Sequence, residues 1–353
     1  MPIHTLTIGK QPVKAKQFKH ICQYLLAMAQ EGAIPSIGNG YLNFQNIHLP
    51  GYPGITIRLN KSPFRRIELT LNPTRILGGT YADLYELTKT GLCDILLTVN
   101  ALLLKIGANF SFQDMCLHRI DCTKDIVLPD AAAASNLIGC LKRSRLGRGY
   151  ELEQFDHSYQ NYTKKNRHSF RARCRDICLT VYDKSFQLEE ECIMPPEQIP
   201  SNLLRVEAAF DNTSFQRILN EHLCCTTSDL ILEKKILYFS NLSIKLLQKY
   251  FSIGVMPGRF LRLDVAKEEI ENSRYSPAMK ERLKQFMYQV RREYKYGVDG
   301  VIYSGNFSSG QISYLLDAFQ KLNLNPAALP MISTVREIPG IPQLLDEDIA
   351  VIR

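Results

Sequence analysis

The sequence predicts an α+β protein, a central antiparallel sheet flanked by helices, with a helical C-terminal region. Two observations carry this. Up to Phe210, short alternating apolar segments are separated by Gly, Pro and Asn, the pattern of hairpin strands in an antiparallel sheet. After Phe210 the apolar residues recur at helical spacing, as in Leu283, Phe286, Met287 and Val290. The 353 residues fit one large domain or two ordinary ones, and we expect a boundary near 215: a sheet-containing part over 1–215, helices over 216–330, and a Pro-rich acidic tail over 331–353.

In chain order, Ile3–Ile8 alternates like a strand and leads into an amphipathic helix over Val13–Glu31, with Phe18, Ile21, Leu25, Leu26 and Ala29 on one face. Strands follow at Tyr41–Ile47, Gly54–Leu59 and Arg66–Leu71. Asn-Pro-Thr-Arg-Ile-Leu-Gly-Gly at 72–79 punctuates the sheet as a turn. Helices are then expected over Tyr81–Thr90 and Asp94–Ile106, the second apolar nearly all round and therefore buried.

Ser111–Cys122 alternates as a strand, with Leu117, Arg119 and Asp121 on one face and Cys116, His118, Ile120 and Cys122 on the other, and Asp125 beyond its end. Asp130 caps an Ala-rich helix ending in Lys142, Arg143 and Arg145. Residues 150–175 interleave Tyr150, Tyr159 and Tyr162 with Lys164, Lys165, Arg167, Arg171, Arg173 and Arg175, a composition that suits phosphate tracking or a solvated hairpin tip. Strands are expected again at 177–182 and 203–210, the latter with Leu204 and Val206 facing away from Arg205 and Glu207. Helices follow over 213–222, 227–252 and 275–296, then a link over Gly297–Gly305 and a helix capped by Ser308 or Ser309. Those last helices fit a helix-turn-helix-like DNA module or an ordinary bundle.

A net charge of +8 and a pI near 8.9 favour a polyanionic partner. The ten cysteines are scattered singly apart from Cys224–Cys225, which excludes a zinc ribbon and suits a reducing cytoplasm. No apolar run reaches about 18 residues and no signal-peptide pattern is present, so a soluble cytoplasmic protein with no membrane partner is expected.

Acidic residues inside apolar strands are costly to bury without a partner. An internal ion pair with Arg119 or Arg205 would meet that cost. So would a shared hard cation, Mg²⁺ or Mn²⁺, held by Asp121 and Glu207, with His118 adding an imidazole if a bulge turns it to their face. Such a cation would offset the charge of a phosphodiester and make attack by a tyrosine feasible.

Arg-Ile-Asp followed by Asp at 119–125, Val-Tyr-Asp-Lys at 181–184 and Leu-Arg-Val-Glu at 204–207 occur in an order that resembles rolling-circle replication initiators, the plasmid Rep-trans type and the filamentous-phage nickases. Asn-Pro-Thr-Arg-Ile-Leu-Gly-Gly at 72–79 and Leu-Asn-Leu-Asn-Pro at 322–326 also look like the phage-type branch, and the likeness spans roughly 65–330. The chain lacks the His-hydrophobe-His motif of the better-known branch.

The resemblance implies a replication-initiator nuclease-like fold. It also implies a strand-specific nickase-ligase that joins itself to a DNA 5′ end through a phosphotyrosine and leaves a 3′-hydroxyl primer. It implies Tyr162, with Tyr159 close behind, as nucleophile. Beside it, the residues themselves offer Lys184 as stabiliser of the phenolate or the pentacoordinate phosphate, and Lys164, Lys165, Arg167, Arg171 and Arg173 as the DNA-binding set. Without the His-hydrophobe-His motif, Asp121 with Glu207 is the preferred pair for the Mg²⁺ or Mn²⁺, ahead of His118. The implied partners are single-stranded or supercoiled origin DNA, host helicase and polymerase, and a second copy of the chain, in the cytoplasm of a bacterial host cell. The alternative is a non-catalytic DNA-binding regulator on the same scaffold. A tyrosine recombinase ranks below both, because Tyr303 and Tyr314 follow no Arg/His/Arg set.

Overall fold

The computed structural model describes residues 3–34, 43–153, 168–191, 193–222, 230–292 and 297–346. The fold is α+β, with a large antiparallel sheet and twelve α-helices among the described residues. The chain divides into two compact units, 1–123 with 209–244 and 124–208 with 245–353. The crossing points lie elsewhere than the single boundary expected at 215.

In the first unit the strands β1 (Ile3–Lys10), β2 (Asn43–Ile47), β3 (Ile55–Asn60), β4 (Arg66–Leu71) and the start of β5 (Cys116–Val127) run in the order β2-β3-β4-β1-β5. Alternation sets the register. Ile55, Ile57 and Leu59 face Leu71, Leu69 and Ile67, while Leu6 and Ile8 face Leu71 and Leu69. These side chains are essentially fully buried on one face. A one-residue slip would turn them to the polar face, so the register is strongly specified. The opposite face carries Thr5, Thr7, Arg58, Glu68 and Thr70.

The expected helix over 81–90 is absent; a single helix, Lys89–Lys105, replaces it and its successor. Thr88 caps that helix, accepting from Gly91 N at 3.0 Å. Upstream, Thr80 and Tyr85 make local bonds to Asp83 and Thr74 that hold an irregular segment. Nor is the helix buried all round, because Leu97 and Leu104 are 65% and 78% exposed. The helix Ala15–Gln30 buries Phe18, Ile21, Cys22 and Leu25 as its period predicts, but Leu26 falls outside the buried stripe. The turn at 72–79 holds a capped single turn of helix, Pro73–Ile76: Asn72 accepts from Arg75 N, and Arg75 donates to Gly79 O at 2.6 Å and lies over the Tyr81 ring.

In the second unit β6 (Glu151–Leu152), β7 (Ser169–Cys174), β8 (Ile177–Asp183) and β9 (Leu203–Asp211) follow the order β9-β8-β7-β6. Phe170, Ala172, Leu179 and Val181 supply a buried apolar face, with Ser169, Arg171, Arg173, Thr180 and Tyr182 on the other. Asp130 caps the helix Ala131–Arg143 as expected, accepting from Ala133 N at 2.6 Å. Asp125, expected beyond a strand end, lies inside β5, which begins only at Cys116 because Ser111 and Asp114 cap a short turn ahead of it.

The helices Leu232–Gly254, Leu263–Asn272, Pro277–Arg292 and Ser309–Lys321 realise the helical period, and Ser308 forms the expected capping box with Gln311. The expected link over Gly297–Gly305 is instead a helix over Gly297–Tyr303. Gly297 begins it at φ +52°, where a Cβ would strike the Arg143 backbone at 2.3 Å, so glycine there serves close packing. The C-terminal segment is also part of the fold: β10 (Phe260–Leu261) pairs with β11 (Glu337–Ile338), and Ile341 and Leu344 are buried.

Candidate functional site

Two polar clusters hold the charged residues singled out in the sequence, one in each unit. In the first unit, Thr7 faces Arg119 and Ile8 faces Leu117, so His118 is the extra residue of a β-bulge. The bulge explains why Leu117 and Ile120, three residues apart, are both buried. It also overturns strict alternation, because it brings the His118 ring to the face that carries Asp121. The ring passes over Gly9, where a Cβ would lie 2.4 Å from His118 Cε1, and Nδ1 reaches Glu68 Oε1 at 3.2 Å. An ionised carboxylate only accepts, so Nδ1 carries the proton. Arg66 and Arg58 approach the same carboxylate at 3.5 and 3.9 Å. The hydrogen bond from His118, helped by Arg66, holds the Glu68 pKa below the usual carboxylate value against the opposing effect of burial.

Asp121 lies two residues beyond Arg119 on the same face. Arg119 donates to both of its carboxylate oxygens, at 2.7 and 3.1 Å, and Thr5 Oγ1 donates at 2.5 Å. Three of about four acceptor directions on Asp121 are therefore filled. The internal pair considered for Asp121 is formed, with Arg119 as the partner.

In the second unit, the motifs of β8 and β9 meet. Tyr182 Oη donates to Glu207 Oε1 at 2.9 Å. Arg205 is fully buried and makes a two-pronged bond to Asp125 at 2.6 and 2.7 Å, a partner the sequence reading did not name, while the Glu207 carboxylate also acts on its charge. Burial, and then the neighbouring Glu207 carboxylate, push the Tyr182 phenol well above its ordinary range, which keeps it a neutral donor. Asp183 caps the helix Lys184–Glu190, accepting from Phe186 N at 2.9 Å, while its other oxygen lies 3.3 Å from His168 Nδ1. The His168 ring stacks on Phe186 at 3.6 Å, so Asp183 organises the end of the strand.

The cap starts a helix at the residue where β8 ends, and this draws Lys184 inward to 3% exposure. Its Nζ donates to Gln187 Oε1 at 2.9 Å. Burial, then the Arg205 charge, lower the Lys184 pKa to about 8, with Glu207, Asp125 and Glu191 pulling the other way. A lysine poised there exchanges its proton near neutral pH.

Of the expected DNA-binding set, Arg171 and Arg173 are described, and both engage Glu153, at 2.9 and 2.5 Å. Tyr159, Tyr162, Lys164, Lys165 and Arg167 lie outside the described residues. Tyr150, the third tyrosine of that segment, is buried. Glu68, Asp125 and Glu153 were missed as partners. Glu68 had a legible signal, being the only acidic residue between Glu31 and Asp83 and standing inside a strand.

The carboxylate oxygens of Asp121 and Glu207 have the hardness that Mg²⁺ or Mn²⁺ requires. Each already has a protein donor, and no group of three or more His, Cys, Asp or Glu able to hold a metal occurs among the described residues. The described donors therefore do not by themselves make up a cation site.

No protein-family model matches the chain, and no curated protein matches it. Among the described residues, no helix is long and apolar enough to cross a membrane.

Proposed function

We propose that the protein acts on DNA as a rolling-circle replication initiator, nicking and rejoining one strand through a covalent 5′-phosphotyrosine and leaving a 3′-hydroxyl. One observation carries the reading. Residues from the three separated motifs behind the resemblance, Asp125, Tyr182 with Lys184, and Arg205 with Glu207, meet in a single buried polar network in the second unit.

In this reading Lys184 is the proton-exchanging cation that stabilises developing negative charge on the phenolate or phosphate. Tyr182 and Arg205 position its surroundings, and the nucleophile is Tyr162 or Tyr159. The need for Mg²⁺ or Mn²⁺, with Asp121, Glu207 and His118 as its residues, rests on the resemblance alone. Such an ion, when bound, would neutralise charge on the phosphodiester.

The test is a covalent adduct. Full-length protein is mixed with Mg²⁺ or Mn²⁺ and a random-sequence single-stranded DNA library, and species that survive denaturation are recovered and sequenced. A shifted protein-DNA band is expected, and Tyr162→Phe or Tyr159→Phe removes it. Should both variants keep the band, neither tyrosine is the nucleophile. The engagement of Asp121 by Arg119 and Thr5 favours a second reading, a non-catalytic DNA-binding regulator. That protein would bind DNA in a salt-sensitive way and give no band at any metal concentration.

A further inference from the structure

The turn that joins β3 to β4 is closed by the Asn60–Arg66 pair, so Lys61-Ser62-Pro63-Phe64-Arg65 projects as its tip. All five residues are exposed, and Phe64 is 64% exposed, with its ring offered to solvent. A large aromatic ring at the tip of a turn contributes nothing to a core, and set among cations it offers a face on which a base can stack. The base of the tip is fixed: Val13 N donates to Arg65 O at 2.9 Å, and Val13 itself is buried. This bond also sets the exposed Lys14, the next residue in the chain, beside the tip.

The charges around the ring are of one sign. Lys61, Arg65 and Lys14 are exposed and have no ion pair among the described residues, whereas Arg58 and Arg66 on the strands below turn to Glu68. The asymmetry extends over the whole segment. Residues 1–82 hold nine Lys and Arg against two acidic residues, Glu31 and Glu68, a local excess of positive charge. A second basic stretch lies at 154–175, with six Lys and Arg against Asp156, and there Arg171 and Arg173 share the Glu153 carboxylate.

We propose that this hairpin tip is a single-stranded DNA contact in which Phe64 stacks on an unpaired base while Lys61 and Arg65 hold the flanking phosphates. Stacking accepts every base because each has a π-face, and flanking cations track the backbone without reading sequence. A duplex hides its base faces, so the tip distinguishes unpaired from paired DNA. This inference rests on the DNA-directed reading above, and none of its residues is among those proposed for nicking.

The chain contains no tryptophan, so Phe64→Trp introduces a unique fluorophore at the tip. Full-length Phe64→Trp protein is titrated with oligothymidylate, with a duplex of equal length, and with vesicles of phosphatidylglycerol and phosphatidylcholine. Anisotropy of labelled DNA reports binding in parallel. Oligothymidylate is expected to quench the tryptophan emission as it saturates. Phe64→Ala should weaken single-strand affinity roughly tenfold and leave duplex affinity unchanged. Lys61→Ala with Arg65→Ala should lower the single-strand salt slope by about 1.4, at about 0.7 for each phosphate that is no longer neutralised.

Unchanged emission while anisotropy shows saturation would overturn the tip contact and leave the DNA reading standing. A blue shift on vesicles with no response to DNA would overturn it in favour of a lipid surface. Absence of any DNA binding in the anisotropy arm would overturn both. Thermal melting of each variant checks that the fold is retained.

Discussion

In the first unit, Glu68 and Asp121 sit on a sheet face where the arginines that reach them keep 34 to 47% of their side-chain surface in water. In the second, Arg205 keeps none, and Lys184, whose proton affinity its charge lowers, is buried as well. Both clusters answer the same problem, charge on a strand, with different physics. An exposed arginine that leaves its carboxylate is itself solvated by water, which lowers the cost of meeting an incoming phosphate. A sealed arginine cannot, because losing its partner strands a charge in low dielectric. The open face is therefore suited to ligand exchange, and the sealed network to holding a fixed geometry around one poised proton donor.

The largest expected effect breaks the sealed side of that contrast. Arg205→Ala removes the partner of Asp125 and a fully buried side chain together, and should cost about 3–5 kcal/mol in denaturant titration. Arg119→Ala, whose side chain is 39% exposed and whose partner Asp121 keeps its bond from Thr5, should cost less, about 1–3 kcal/mol. Equal losses at the two arginines would mean that exposure does not separate the clusters.

Lys184 gives the next effect, with the opposite sign. Its pKa falls from 10.5 in the unfolded chain to about 8 when folded. Between those values the unfolded chain binds more protons, so stability rises with pH across this window, and below it the buried charge costs the fold. Lys184→Met should therefore stabilise the protein near pH 7 by about 2–3 kcal/mol, with the gain vanishing above about pH 10. Lys142, lowered to about 8 by burial as well, adds a similar slope to both proteins, so the wild-type-minus-variant difference isolates Lys184. The same variant should abolish adduct formation if Lys184 stabilises the reacting oxygens. A variant that is more stable and still active would remove Lys184 from the chemistry.

What could be read beforehand follows the range of the forces involved. The strands Ile55–Asn60 and Arg66–Leu71, the helix Ala15–Gln30 and the caps at Asp130 and Ser308 were legible because alternation, helical period and capping are local. The partners were not. Arg205 met Asp125, 80 residues away, through strand pairing, and His118 changed face through a one-residue bulge that no local pattern announces. The helix Gly297–Tyr303 escaped detection because two glycines masked it, although one of them is there to let Arg143 approach. The charged strands could be located by local pattern, while their wiring had to come from the fold.

The bulge itself can be tested by a double-mutant cycle on the open face. Gly9→Ala places a methyl where the His118 ring lies, and because the obstacle is a side chain the ring can swing away, giving up its bond to Glu68. The single variant should lose about 1 kcal/mol, the net worth of that bond. In a His118→Ala background the same change should be neutral or stabilise by about 0.5–1 kcal/mol, since alanine loses less backbone entropy in a strand than glycine. Additive effects would show that the ring does not cross Gly9.

Glu68→Gln is the smallest and the most specific to the open face. The hydrogen bond from His118 keeps the Glu68 carboxyl below its ordinary 4.5, so its contribution is complete above that value and disappears as pH falls through the folded value. The glutamine variant should therefore flatten the acid limb of the stability curve below about pH 5 and cost less than about 1 kcal/mol at pH 7, since solvent screens much of the pairing. Salt should shrink the difference further, because Arg58 and Arg66 approach from the water side. An acid limb as steep as that of the wild type would mean that Glu68 is not held by His118, and that the open face is no more open than the sealed one.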